Sequence, residues 1–122
     1  MEMILNRFGI GDVILLNLSP TIGDEKRATR PCLVLEGGAT PLELIIVLPI
    51  TDATRKKSPI FIPILDLKRA GLTKPSVIDT YQIRAVSIRR FVKRLGEVDS
   101  DHLFRTRQNI ARILEIEEAH VQ

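Results

Sequence analysis

Apolar residues run almost unbroken through residues 13–18, 31–35 and 43–50, and turn-forming residues bound each run. Short continuous runs of this kind predict strands buried on both faces. Pro31 begins the second run, a position where a strand tolerates proline. A fourth run, residues 60–65, is flanked or interrupted by Pro59 and Pro63, which predicts an edge strand or a bulge. Residues 66–70 read as one helical turn closed by Gly71. Residues 76–83 and 85–95 are again β-rich, with Gly96 as a break. From about residue 100 the period changes. Asp99 or Ser100 can cap a helix in which Leu103, Ile110, Ile113 and Leu114 share one face, with Arg105, Arg107 and Arg112 mostly opposite. The pattern predicts a mainly β (β-rich α+β) single domain over residues 1–122. It is a small, strongly bent antiparallel sheet or barrel, strands over about 11–95, with a C-terminal helix over about 100–119 packed on it.

With 122 residues, 44% of them hydrophobic, the chain can bury one core. No apolar run approaches the ~20 residues that span a bilayer, and the start lacks the pattern of a signal peptide. The single cysteine, Cys32, cannot form an intrachain disulfide and fits a reducing, cytoplasmic setting. Within its apolar strand it reads as a small core residue. His102 and His120 are the only histidines and lie too far apart to be neighbouring ligands, so no zinc-site spacing exists and no metal is expected. His102 is expected to be solvated in the first helical turn, and Tyr81 to be core. No phosphate-loop, dinucleotide-loop or nucleophile-elbow glycine pattern occurs. Any chemistry therefore falls to arginine, threonine, lysine and carboxylates, without a cofactor.

Net charge is only +3, so its distribution matters more. Residues 84–94 hold five cations and no acid, and Arg55, Lys56 and Lys57 cluster elsewhere. That asymmetry suggests a polyanion-facing surface, against the plainer reading of unevenly scattered surface charge. The connection between the first two strands is long for a hairpin and carries Asp24, Glu25, Lys26, Arg27 and Arg30.

Here motifs accumulate in order: G-D-V at 11–13; Ser19, Pro20, Gly23 and Glu25; R-P-x-L-V at 30–34; LPIT at 48–51; IDTYQIRAVSIRR at 78–90; and GEVDSDHLFRTRQNIARIL at 96–114. Together they resemble the MazF/PemK (Kid) family of toxins from type II toxin–antitoxin modules. The resemblance implies an SH3-like, CcdB-like bent barrel acting as a homodimer. It also implies a metal-independent, sequence-specific endoribonuclease of the cytoplasm, cutting single-stranded RNA to 2′,3′-cyclic phosphate and 5′-hydroxyl ends. Its partner would be a cognate antitoxin whose acidic C-terminal segment lies over the RNA groove. The family loop commonly runs E-Q-G-G-x-R-P, whereas this chain has Glu25-Lys26-Arg27-Ala28-Thr29-Arg30-Pro31, which removes both glycines and their backbone freedom.

Carried over residue by residue, Arg30 is the expected transition-state stabiliser, its fork suited to two phosphate oxygens. The alternative is a strand-start arginine pairing with Asp24 or Glu25. Thr51 matches the catalytic threonine; alone it would be a strand-end threonine satisfying a turn. Glu25 either orients Arg30 or accepts the 2′-hydroxyl proton. Gln82 and Arg84 match a segment contacting bases and backbone, or else an exposed strand edge. Ser19, Thr21, Lys26 and Arg27 are candidate phosphate contacts, and plain solvation serves Lys26 and Arg27 equally. Two other functions stay open: a non-enzymatic gyrase inhibitor of the CcdB kind, and a barrel that binds RNA without cutting it.

Overall fold

The computed structural model describes residues 8–19, 29–37 and 43–117. Seven strands appear in order: β1 Asp12–Asn17, β2 Thr29–Glu36, β3 Leu44–Asp52, β4 Phe61–Pro63, β5 Ser76–Asp79, β6 Arg84–Ser87 and β7 Phe91–Glu97. A short helix α1, Leu67–Ala70, follows β4, and the long helix α2, Ser100–Ile113, follows β7. All pairings are antiparallel, in the order β4-β5-β3-β2-β1-β7. β6 joins the first half of β3, upstream of the β5 pairing. Among the described residues β4 and β7 remain unpaired edges, so the expected barrel is a bent sheet that does not close. The edge strand β4 is short and ends on Pro63, which blunts it against further pairing.

Two cores explain the unbroken apolar runs. Alternate residues of β1, β2 and β3 point to opposite faces. Ile14, Leu16, Cys32, Val34, Ile45 and Val47 enter one core with Val86 and Ile88. Val13, Leu33, Leu48 and Ile50 enter the other, which Ala70 of α1 and Ile110 of α2 cover. Both faces need apolar side chains, so no polar alternation survives in the sequence.

Several expectations change. Residues 85–95 are not one strand. The Ser87 hydroxyl accepts from Arg89 N at 3.2 Å and caps a 3-10 turn, Ile88–Arg90. That turn lets the chain leave β3 and pair with β1. Gly96 is no break; it lies inside β7. Helix α2 stops at Ile113, not near 119. Glu115 takes a φ of 55°, with Glu115 N donating to Arg112 O at 3.2 Å and Ile116 N to Ala111 O at 2.8 Å, a Schellman closure without glycine.

The inward face of α2 is also more polar than its periodicity implied. His102, Thr106, Asn109 and Ile110 are buried, while Leu114 is 56% exposed. His102 is therefore not solvated: its backbone N donates to Asp99 at 2.8 Å and its Nε2 meets Pro63 O at 3.0 Å. Tyr81 is not core but 67% exposed. Asn109 fastens the helix to the sheet edge, its Nδ2 donating to Pro59 O at 3.0 Å and Thr80 Oγ1 at 2.8 Å. Thr80 Oγ1 in turn donates to Ile60 O. Asn109→Ala takes the donor from the buried Thr80 hydroxyl and cuts the tie to Pro59 O, and should cost about 2 kcal/mol, read as a lower urea midpoint with unchanged m.

Candidate active site

β2 and β3 pair with Cys32 opposite Pro49. Arg30 and Thr51 each lie two residues beyond that pair, Arg30 next to Leu16 of β1 and Thr51 next to Val77 of β5. Both line one open cleft of about 380 Å³, walled by the start of β2, the end of β3 and the turn between α1 and β5. Arg30 is exposed and Thr51 half-buried, so residues bearing a guanidinium and a hydroxyl, from separate strands, line one solvent-open cleft. Neither residue is local to the other in sequence; the pairing of β2 with β3 brings both to one cleft.

Arg84 is not among the residues that line this cleft. It is exposed at the start of β6, opposite Val47. Burial pushes the Cys32 thiol up to about 12, against the opposing pull of the Arg84 and Arg30 guanidiniums. Cys32 is thus a neutral core group. Gln82 is exposed, but its Nε2 donates to Asp79 Oδ2 at 2.8 Å, which holds the amide against the end of β5. Ser19 is 3% exposed, and its carbonyl accepts from Arg90 Nη1 at 2.6 Å. It shapes the exit of β1 rather than offering an open phosphate contact. Thr21, Glu25, Lys26 and Arg27 lie outside the described residues.

Within the cationic stretch 84–94, Arg84 and Lys93 are exposed, while Arg90 and Arg94 are held by protein acceptors. Arg90 clasps the end of β1, donating also to Asn17 O at 3.0 Å. Arg94 donates to Asp12 at 3.1 Å and Glu97 at 2.8 Å, and the Asp12 hydrogen bond first of all holds its guanidinium protonated. Arg69 completes the chain through Glu97 at 3.0 Å.

Two cleft residues escaped the sequence reading. Asp52 follows Thr51, and Lys74 lies in the turn before β5; their charges pair across the cleft at 3.5 Å. The Asp52 carboxyl lies below its ordinary value, chiefly through hydrogen bonding to Thr54, with Lys74 adding to it. This contribution to stability is present above the ordinary carboxylate range and fades as pH falls through the lowered value. An acid beside a candidate threonine was the available signal for Asp52. For Lys74 only tertiary contact supplies one. Among the described residues, no group of three or more His, Cys, Asp or Glu could hold a metal ion.

Comparison with known proteins agrees over nearly the whole chain. Residues 10–114 match the family described as PemK-like, MazF-like toxin of type II toxin-antitoxin system. Endoribonuclease EndoA of Bacillus subtilis (strain 168) is 35% identical over 94 residues, spanning 75% of this chain and 80% of that protein. Endoribonuclease MazF of Staphylococcus epidermidis is 36% identical over 88 residues, 70% of this chain and 72% of its own. Among solved structures, MazF from Deinococcus radiodurans superposes with a TM-score of 0.71 at 25% identity, covering 89% of this chain and 97% of that one. A MazE-MazF structure from the same organism gives 0.72 at 25% identity, covering 91% and 98%.

Proposed function

We propose, from the premise that this chain belongs to the PemK-like, MazF-like toxins of type II toxin–antitoxin systems, that Arg30 and Thr51 carry its endoribonuclease chemistry. The chain is an endoribonuclease toxin whose partner is a cognate antitoxin, as in the MazE-MazF relatives, and it works as a dimer. No helix among the described residues is long and apolar enough to cross a membrane. We place its work in the cytoplasm, where its RNA substrate is found.

The observation that carries the catalytic reading is the shared cleft of Arg30 and Thr51. RNA brings its own nucleophile. The 2′-oxygen bonds to phosphorus, the 2′-proton passes to a base, the bond from phosphorus to the 5′-oxygen breaks, and that oxygen takes up a proton. The products are a 2′,3′-cyclic phosphate and a 5′-hydroxyl end. As the phosphorane forms, charge accumulates on its two non-bridging oxygens, where an arginine fork fits best. Arg30 supplies that fork from an exposed strand start, and Thr51 donates a hydrogen bond to the same phosphate. Glu25 orients Arg30 or receives the 2′-proton, and Arg84 extends the cationic track for the backbone. Arginine stays protonated at neutral pH, so its first role is electrostatic rather than proton donation.

A purified sample incubated with a long mixed-sequence RNA in EDTA should produce 5′-hydroxyl ends that recur at one short sequence. Thr51→Ala should slow this cleavage about a hundredfold, the effect of losing one preorganised donor. RNA that is bound but left whole by the wild-type protein would replace this reading with that of a non-cutting barrel. Cleavage that stops on chelation would overturn the metal-independent mechanism.

A further inference from the structure

We propose that Lys74 is an additional RNA-phosphate contact in the cleft, and that Asp52 is its built-in competitor, a carboxylate displaced from the ammonium by substrate. The inference rests on the proposed ribonuclease function and adds to it a device that sets substrate affinity. Lys74 Nζ and Asp52 Oδ2 stand 3.5 Å apart, lining the same cleft as Arg30 and Thr51.

Both ends of the pair are anchored at the backbone. The Ser76 hydroxyl donates to the Lys74 carbonyl at 2.8 Å, and Ala53 N donates to Pro75 O at 3.1 Å. The lysine-bearing turn is therefore tied to both β5 and the end of β3. Asp52 Oδ1 accepts from Thr54 N at 2.7 Å, which leaves Oδ2 facing the ammonium. The side chains themselves are 69% and 46% exposed. An ion pair that open is weakly held and readily exchanged. Phosphate and carboxylate oxygens offer an ammonium the same kind of acceptor, so a phosphodiester entering beside Arg30 meets a lysine already aimed at an anion.

Asp52 also has a cost. Its negative charge sits one residue from Thr51, close to where the phosphate would lie, and Lys74 neutralises it only while the pair is intact. Substrate must exchange one acceptor for another, so the apparent affinity is lower than Lys74 alone would give.

The test is steady-state cleavage of a long mixed-sequence single-stranded RNA at several salt concentrations. Asp52→Asn keeps the oxygen that Thr54 N needs but removes the competing charge, and its KM should fall about threefold with kcat little changed. Lys74→Ala should raise KM about fivefold and flatten the plot of log affinity against log salt by about 0.7, the loss of one phosphate contact on a single strand. Lys74→Arg should stay near wild type. The double variant should have a KM below that of Lys74→Ala, because losing Lys74 leaves the Asp52 charge beside the phosphate uncompensated and Asp52→Asn removes it. A Lys74→Ala salt slope equal to wild type, or an Asp52→Asn KM that stays or rises, overturns the inference while RNA cleavage itself stands. Wild-type protein that neither cuts nor binds RNA overturns the functional reading and this inference with it.

Discussion

Arg30→Ala is expected to lower kcat for RNA cleavage by about a thousandfold, the effect of losing a charged group aimed at developing phosphorane charge. KM should change far less, because Lys74 and Arg84 would still hold the backbone. The side chain is exposed at the start of β2 and belongs to neither core, so thermal and urea midpoints should match wild type within about 0.5 kcal/mol. Arg30→Lys separates charge from geometry. It keeps a cation but loses the planar fork, and should recover only part of the rate. Single-turnover cleavage with saturating protein measures the chemical step directly. A variant that cuts within tenfold of wild type would remove Arg30 from the catalytic role.

The second large effect is on the fold. Gly96→Ala should cost about 3 kcal/mol or more, because the clash is with backbone that cannot rotate away. A β-carbon at Gly96 would overlap the Arg69 carbonyl oxygen and lie 2.5 Å from the Ala70 carbonyl carbon. Gly71, facing it from the end of α1, has a φ of 75° and would place a β-carbon on the Leu95 carbonyl. The two glycines let α1 and β7 touch backbone to backbone. At about 4–8 °C per kcal/mol for a domain near this size, the melting temperature should fall by some ~12 °C or more. Gly71 and Leu72 also line the cleft, so this packing positions one of its walls. A folded Gly96→Ala protein should therefore bind RNA poorly as well as melt early. Unchanged melting would mean that α1 and β7 can part without loss.

The same glycine shows where reading along the chain falls short. Gly96 looks like punctuation, since glycine commonly marks a strand end, yet it lies inside β7 where another backbone crosses. Likewise residues 85–95 carry uniform β character, while their division follows from a change of partner, β6 with β3 and β7 with β1. Helix α2 was visible from its period and its Asp99 cap, both local properties. Its buried face was not, because His102, Thr106 and Asn109 are polar and find partners on other elements.

The approximate places of β1 to β5, the start of α2, the β-rich class, the α1 turn with its Gly71 cap and the candidate Arg30 and Thr51 were legible in the chain. Periodicity, capping and turn preferences act within a few residues, and motif order survives as a string. Whether Arg30 and Thr51 share a cleft, and that Asp52 and Lys74 line it with them, depended on the register of β2 against β3 and the seat of the turn before β5. Those are long-range matters. They are settled by which faces bury together and which backbones can touch, and no short window of sequence contains both partners.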